Sequence, residues 1–424
     1  MNLRLALLAI LIIPLSLFAQ KKQKPKLLVY GSDIAAFSAA VQAARSNVPT
    51  VWVLDQAQIA PEITSQAVKI NSNQKLDGGI WMNILMEIAV SKTKSDSLAQ
   101  IVKQDLNPRL AQNALDKIIA ELPNLTLIKN QQISKTSQKK RGWDIQLSNR
   151  LQFSVLSAID FSEKGSLFAQ AEKDDKSYAS TALQKAADVS LALGRTSVGA
   201  AELDGSAHVI LLKDLLTFER NNLLDAGFLR QVSSDPNNIA FRATYGQALG
   251  ATAAYLAFFK TNSKSIDIRK LQAELMAFSA RLTPYQDVSS QDTHFGSIQK
   301  NYLTGFFLGQ VEDGKYLFKK DEFVRFDDVK AVMNDIYTRS QLWFLDNFRN
   351  EDLTWGDLFG LIKYVSLKGD EVQKQVEKEW NSKRKFQGEF SLKNKVTREH
   401  FAVMADLYSN SFSKTINLDG SFVK

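Results

Sequence analysis

Apolar positions fall in short blocks near the start of the chain. Leu27 to Tyr30 is a continuous apolar run that stops at Gly31, the pattern of a strand buried on both faces. Residues 34–46 are rich in alanine and predict a helix, and Val51 to Leu54 is a second apolar run that ends at Asp55. Residues 27–55 therefore predict one right-handed strand–helix–strand crossover. Residues 96–121 predict a helix whose apolar face carries Leu110, Leu115, Ile118 and Ile119. Strands are expected at Leu125–Ile128, Trp143–Leu147 and Leu151–Ala158, with a hairpin turn at residues 139–142. Further helices are expected at 177–193, 239–260 and 266–282, and a strand at Val209–Leu212.

The pattern changes near Pro284, after which no long alanine-rich helix follows. A weak repeat takes its place. Val324-Arg-Phe-Asp-Asp, Leu353-Thr-Trp-Gly-Asp and Val396-Thr-Arg-Glu-His each pair an apolar residue with apolar positions at helical spacing, and Thr354 and Thr397 are of capping type. Three similar helix starts are expected, unevenly spaced and so not a regular solenoid. The chain divides into residues 1–20, 21–283 and 284–424.

Residues 1–20 have the build of an export signal. Arg4 precedes the apolar stretch Leu5 to Phe18, which Pro14 interrupts, and Ala19 is the expected cleavage position. The stretch is too short for a stable membrane span. The expectation is an exported protein, periplasmic or extracellular, whose mature chain starts near Gln20 with a basic leader and has no transmembrane segment.

Composition narrows the chemistry. With 45% hydrophobic and 23% charged residues in 424, the chain is an ordinary globular one. It has no cysteine, which excludes disulfides and thiol catalysis. His208, His294 and His400 are isolated in sequence, so no histidine-rich metal site is expected. The net charge of +8 is scattered, without the basic–aromatic stripe of a nucleic-acid binder.

The strongest local feature is Gly31-Ser32-Asp33-Ile34-Ala35-Ala36, at the junction of the first strand and helix. A dinucleotide fold needs a first glycine for the tight turn, a second where backbone meets pyrophosphate, and a small third residue for helix–strand packing. Gly31 and Ala36 meet the first and third needs, and Asp55 stands where a ribose-binding acid belongs. Asp33 replaces the middle glycine.

Further along, Ile159-Asp160-Phe161-Ser162-Glu163-Lys164-Gly165, then Asn222-Leu223-Leu224-Asp225-Ala226-Gly227, then Arg242 and Gly246-Gln247-Ala248-Leu249-Gly250 follow in order. With the first motif, this ordered set resembles the exported FAD-dependent oxidoreductases over residues 27–282. The resemblance implies an α/β, Rossmann-like FAD-binding fold, a parallel sheet flanked by helices, followed here by a mostly helical C-terminal region. It also implies that FAD would contact Gly31, Ser32, Ala36, Asp55, Gly165, Gly227, Arg242, Gly246, Gln247 and Gly250. It places no catalytic His, Cys or Tyr over a flavin. For Gly246 and Gly250, close helix packing is an equally good reading.

Three residues depart from the family pattern: Asp33, Glu163 in place of a glycine, and Phe228 in place of an arginine. A carboxylate at a helix mouth competes for the donors a phosphate would use. Two unit charges about 5 Å apart at an effective dielectric near 20 repel by ~3 kcal/mol. Two functions are therefore carried forward: an exported FAD-dependent oxidoreductase of undefined substrate, or a relative that has lost FAD and serves as an envelope scaffold or glycan-binding protein. The order Asp287-Val288, His294-Phe295-Gly296, Asp313-Gly314, Phe318 and Val324 resembles an S-layer homology module, which implies a cell-wall glycan as ligand. A helical packing domain explains the same residues.

Overall fold

The computed structural model describes residues 24–171, 183–216 and 221–423. The export segment 1–20, most of the basic leader and the first part of the helix expected at 177–193 lie outside the described residues.

The first lobe is built on a parallel sheet of β1 (Leu27–Tyr30), β2 (Thr50–Val53), β3 (Leu125–Ile128), β4 (Ser157–Asp160) and β5 (Leu223–Asp225). The spatial order is β5-β4-β1-β2-β3, and every pairing is parallel. This is the Rossmann-like order, which reverses direction between β1 and β4 and opens a crevice there at the carboxyl ends of the strands. β1, β2, β4 and β5 are buried throughout, which is why Leu27–Tyr30 and Val51–Leu54 read as apolar runs.

Gly31 ends β1 at φ +133°, a backbone that disfavours any side chain, and a Cβ there would stand 2.8 Å from that of Phe161. Trp52 Nε1 donates to the Gly31 carbonyl at 2.8 Å and holds the turn from behind.

Helix α1 (Ile34–Arg45) lies against the sheet, crossed by α2 (Gly79–Ile88) and by the long α3 (Ile239–Phe259). α3 approaches α1 so closely that a Cβ on Gly246 would lie 2.1 Å from the Ala35 carbonyl oxygen, and one on Gly250 2.5 Å from that of Ala39. Gln247 fastens the three helices together. Its Oε1 accepts from the Ile80 N–H at 3.1 Å, and its Nε2 donates to Gln42 Oε1 at 2.8 Å.

Several boundaries differ from the sequence expectation. The helix expected at 96–121 is two, Asp96–Gln104 and Pro108–Ala120, because Pro108 cannot donate to a continuing helix and starts a new one capped by Asn107. The strand expected at 151–158 breaks at Leu156. Gln152–Val155 closes an antiparallel meander with Ile133–Gln138 and Trp143–Leu147, and Ser157–Asp160 enters the parallel sheet as β4. In the described part of 177–193 the chain is not one helix but the short strand Gln184–Lys185, a 3-10 turn and the single turn Leu191–Gly194. That strand pairs with Ser206–Leu211, which pairs with Ser197–Leu203. The helix expected at 266–282 is α4 (Ile268–Ala277) and stops five residues early.

In the C-terminal lobe the three repeat segments start helices Phe326–Ile336, Trp355–Ser366 and Arg398–Tyr408. Thr354 and Thr397 cap the last two, accepting from the N–H groups of Asp357 and His400. The residues just before the helices form a closed ring. Val324 N–H donates to Val396 O at 2.9 Å, Val396 N–H to Leu353 O at 2.8 Å, and Leu353 N–H to Val324 O at 2.7 Å. Equivalent sequence has produced equivalent geometry about a local three-fold. Uneven spacing is accommodated in the connections, which carry the extra helices Thr338–Asn347 and Glu371–Glu379.

The lobes are joined by buried arginines. Arg195 donates to Thr304 O and Gly420 O, Arg269 to Leu303 O and Lys414 O, and Arg281 to Thr283 O, Tyr285 O and Val288 O. Among the described residues no helix is long and apolar enough to cross a membrane.

Gly246→Ala must move the backbone of α1 or α3, and a loss of ~2 kcal/mol is expected in urea unfolding. Gly296→Ala, on a helix with nothing within 4 Å of the added Cβ, is the control and is expected to be neutral or slightly stabilising. Equal effects of the two would show that the α1–α3 contact is not tight.

Candidate dinucleotide cleft

At the β1/β4 reversal the strand ends open into a cleft of ≈ 610 Å³. Ser32, Asp33, Asp55, Phe161, Glu163, Arg230 and Arg242 are among its lining residues. Its position is where α/β folds of this order hold nucleotides, but its charges are arranged unusually.

Asp33 is the N-cap of α1. Its Oδ1 accepts from the Ala36 N–H at 2.8 Å, and its Oδ2 lies 3.8 Å from Arg242 Nη1. Glu62, from the turn that follows β2, reaches the same helix mouth, where its Oε1 accepts from the Ile34 N–H at 3.3 Å. Its Oε2 is buried with no partner among the described residues. Two carboxylates thus hold N–H groups of the first turn of α1, the donors a pyrophosphate would take.

Desolvation and the neighbouring Glu62 push the Asp33 carboxyl up to about 7, against the Ala36 N–H and the Arg242 guanidinium, which pull it down. Burial raises Glu62 as well. At the ribose end the arrangement is conventional: Ser32 Oγ donates to Asp55 Oδ1 at 2.5 Å, holding the acid at the tip of β2.

The far wall is also acidic beneath its surface. Asp160 and Asp225 are paired across β4 and β5. Asp160 is satisfied by the Ser162 N–H and hydroxyl and by the Phe168 N–H. Desolvation and the Asp160 charge push Asp225 up to about 7, while Arg230, donating to it at 2.9 Å, opposes them.

The sequence candidates separate into two groups. Ser32, Asp55 and Arg242 line the cleft, and Gly31 forms the turn at its base. Gly165 and Gly227 sit beside it, where a Cβ would press on Arg230 and on Asp225 respectively. Ala36 is buried in the first turn of α1. Gly246, Gln247 and Gly250 lie in mid-helix, one or more turns past the Ile239 start, and are used in the contact of α3 with α1 and α2.

Both acids singled out from the sequence, Asp33 and Glu163, line the cleft. Phe228, which stands where arginine was expected, packs on Phe241 and Tyr245, and Arg230 two residues on supplies the guanidinium instead. Glu62 and Arg230 were not found from sequence. Glu62 lies in no motif, and Arg230 is placed by the turn of 3-10 helix at Gly227–Arg230.

A second cluster, Asp292, His294 and Glu399, brings metal-type ligand atoms within 4.8 Å of one another. Its imidazole is already engaged on both sides, by Glu399 at 3.0 Å and the Arg384 carbonyl at 2.7 Å, and Lys320 stands 3.6 Å from Asp292. This is an ion-paired histidine, and the hydrogen bond to Glu399 raises its pKa.

The fold and the cleft define a Rossmann-like, dinucleotide-type unit. Residues 26–177, less than half of the chain, match the family model of the FAD dependent oxidoreductases. No curated protein matches the chain. Among solved structures, the chain is similar to p-nitrophenol 4-monooxygenase PnpA from Pseudomonas putida DLL-E4, at 10% identity over 60% of this chain and 84% of that one, with a TM-score of 0.34. It is similar also to the bacillithiol disulfide reductase Bdr of Staphylococcus aureus, at 9% identity and a TM-score of 0.23, and to the thioredoxin reductase of T. acidophilum, at 16% and 0.20. The match spans 32% of this chain in both cases, and only 38% and 34% of those two proteins.

The raised acid at the α1 mouth makes stability depend on pH. Asp33 goes from an ordinary value near 3.8 to about 7 in the folded chain. Its contribution is therefore present at low pH and lost as pH rises through about 7. Asn caps a helix as well as Asp, so Asp33→Asn is expected to gain stability relative to the parent between about pH 5.5 and about pH 8. Urea unfolding at the two pH values checks this. A constant difference would mean that Asp33 ionises normally.

Proposed function

We propose that this protein is a non-catalytic relative of the FAD-dependent oxidoreductases, an envelope scaffold or glycan-binding protein that keeps the cleft of the fold and has closed its pyrophosphate position from within. One observation carries the reading: Asp33 and Glu62 occupy the N–H donors at the start of α1. A bound FAD would have to displace both carboxylates or wait for their protonation, and then sit beside Arg242, which Asp33 already partly neutralises. The residues present do not fit the diphosphate, although Asp55 and Ser32 still suit a ribose. The three equivalent helix starts of the C-terminal lobe support an envelope glycan as partner, and the apolar stretch Leu5 to Phe18 supports export.

The family match over residues 26–177 favours a second reading, an exported flavoprotein oxidoreductase. If FAD were held, it would supply hydride-accepting chemistry, with Asp55 toward the ribose and Arg242 toward the phosphates.

Flavin absorbance separates the two. Protein purified from cells is expected to be colourless and to stay so after incubation with FAD and desalting. Asp33→Ser with Glu62→Gln frees the helix mouth while leaving a capping hydroxyl, and is expected to raise FAD affinity by roughly a hundredfold in a fluorescence-quenching titration. Stoichiometric FAD in the parent protein overturns the proposal.

A further inference from the structure

A second hollow opens at the other end of α1, away from the dinucleotide cleft. It has a volume of ≈ 550 Å³ and lies among the last turn of α1, the C-terminal half of α3, and α4. The sequence explains why it is hollow. The facing positions are Ala251 and Ala254 on α3 and Ala273 on α4, so the two helices meet there without side chains long enough to fill the gap.

Aromatic rings stand around that floor. Tyr255 and Phe259 have centroids 4.5 Å apart, and Phe258 and Phe259 5.1 Å. Phe258 is 54% exposed and Phe259 51%, an unusual condition for neighbouring phenylalanines, left uncovered among the described residues. Their mutual contacts keep the wall in place before anything binds.

One end of the groove is cationic. Arg45 closes α1 there, half-buried, and its guanidinium makes no hydrogen bond or ion pair among the described residues. Lys94 lies close enough for the two cations to repel, and burial holds both below their usual pKa range. Glu121 near Arg45 gives partial relief. Lys270, also on the lining, is paired with Asp267 at 3.3 Å, which leaves Arg45 as the cation free for a ligand. Glu274 on α4 also lines the hollow and disfavours a ligand with a second anionic group.

We infer that this groove binds a single-chain amphipathic anion, with the alkyl chain over Ala251, Ala254 and Ala273 between the aromatic walls and the carboxylate on Arg45. The unpaired guanidinium selects the head group and the covered area selects the tail. The inference does not depend on whether the other cleft holds FAD.

The test is calorimetric titration of the full chain with dodecanoate below its micelle concentration. Dodecyltrimethylammonium, which has the same tail and the opposite charge, and acetate, which has no tail, are the comparisons. Saturable one-to-one binding of dodecanoate is expected, roughly tenfold or more tighter than the cationic amphiphile, with none for acetate. Arg45→Gln is expected to weaken it roughly tenfold, and Ala273→Trp, at an exposed position of α4, to abolish it by filling the groove while the thermal midpoint stays unchanged. Equal affinity for both amphiphiles overturns the inference. So does dodecanoate binding that survives both variants, or association with anionic phospholipid vesicles in the absence of any binding to monomeric dodecanoate.

Discussion

The close approach of α3 to α1 sets most of what the first lobe can do. Gly246 and Gly250 let two backbones come nearly into contact, and both helices also pack on the parallel sheet. That contact fixes the position of α1 and the direction in which its N–H groups point. Arg242 lies one turn before Gly246 on α3, so the packing that seats Gly246 on Ala35 also carries that guanidinium to Asp33. Fold and electrostatics are coupled here through a single contact between backbones.

Given that geometry, the mouth of α1 will attract some anion, because its donors have no helical partner. In a dinucleotide-binding chain the anion is the ligand. Here the chain supplies it, once through Asp33 and again through Glu62. An internal carboxylate has an advantage over a dissolved ligand, since it loses no translational freedom on docking. Burial raises both carboxyls, and at Asp33 the neighbouring Glu62 charge adds to it. The arrangement stabilises the helix without a ligand and does so best when one of the acids is protonated.

The first two strands of the parallel sheet were legible because both are buried on both faces and so appear as short apolar runs, Leu27–Tyr30 and Val51–Leu54, whereas the three-residue β5 was not read as a strand. The three helix starts of the C-terminal lobe were legible because they repeat. What the sequence hid was set by contacts made far along the chain. Leu151–Ala158 is a single apolar pattern, and only the competition between the meander and the sheet breaks it at Leu156. Gly246 and Gly250 look alike whether they face a phosphate or another helix, and the choice depends on where α3 begins. Glu62 is an unremarked acid after Pro61 until the turn beyond β2 folds back over α1. Arg230 replaces an expected arginine at a displaced position, a substitution that requires the 3-10 turn at Gly227 to be seen.

The junction between the lobes is built on buried cations. Arg195, Arg269 and Arg281 are buried and bond mostly to backbone carbonyls of the opposite lobe or of the crossing segment. Burial lowers all three, Arg269 to about 9 and Arg281 to about 10. A guanidinium taken out of water at that cost is retained where several carbonyls must be held at once, which a leucine of similar volume could not do. Phe412 and Phe422 from the last residues lie over Arg269 and Arg195, so the C-terminal segment closes the same junction. Domain closure over the cleft would require breaking these arginine bonds to buried carbonyls.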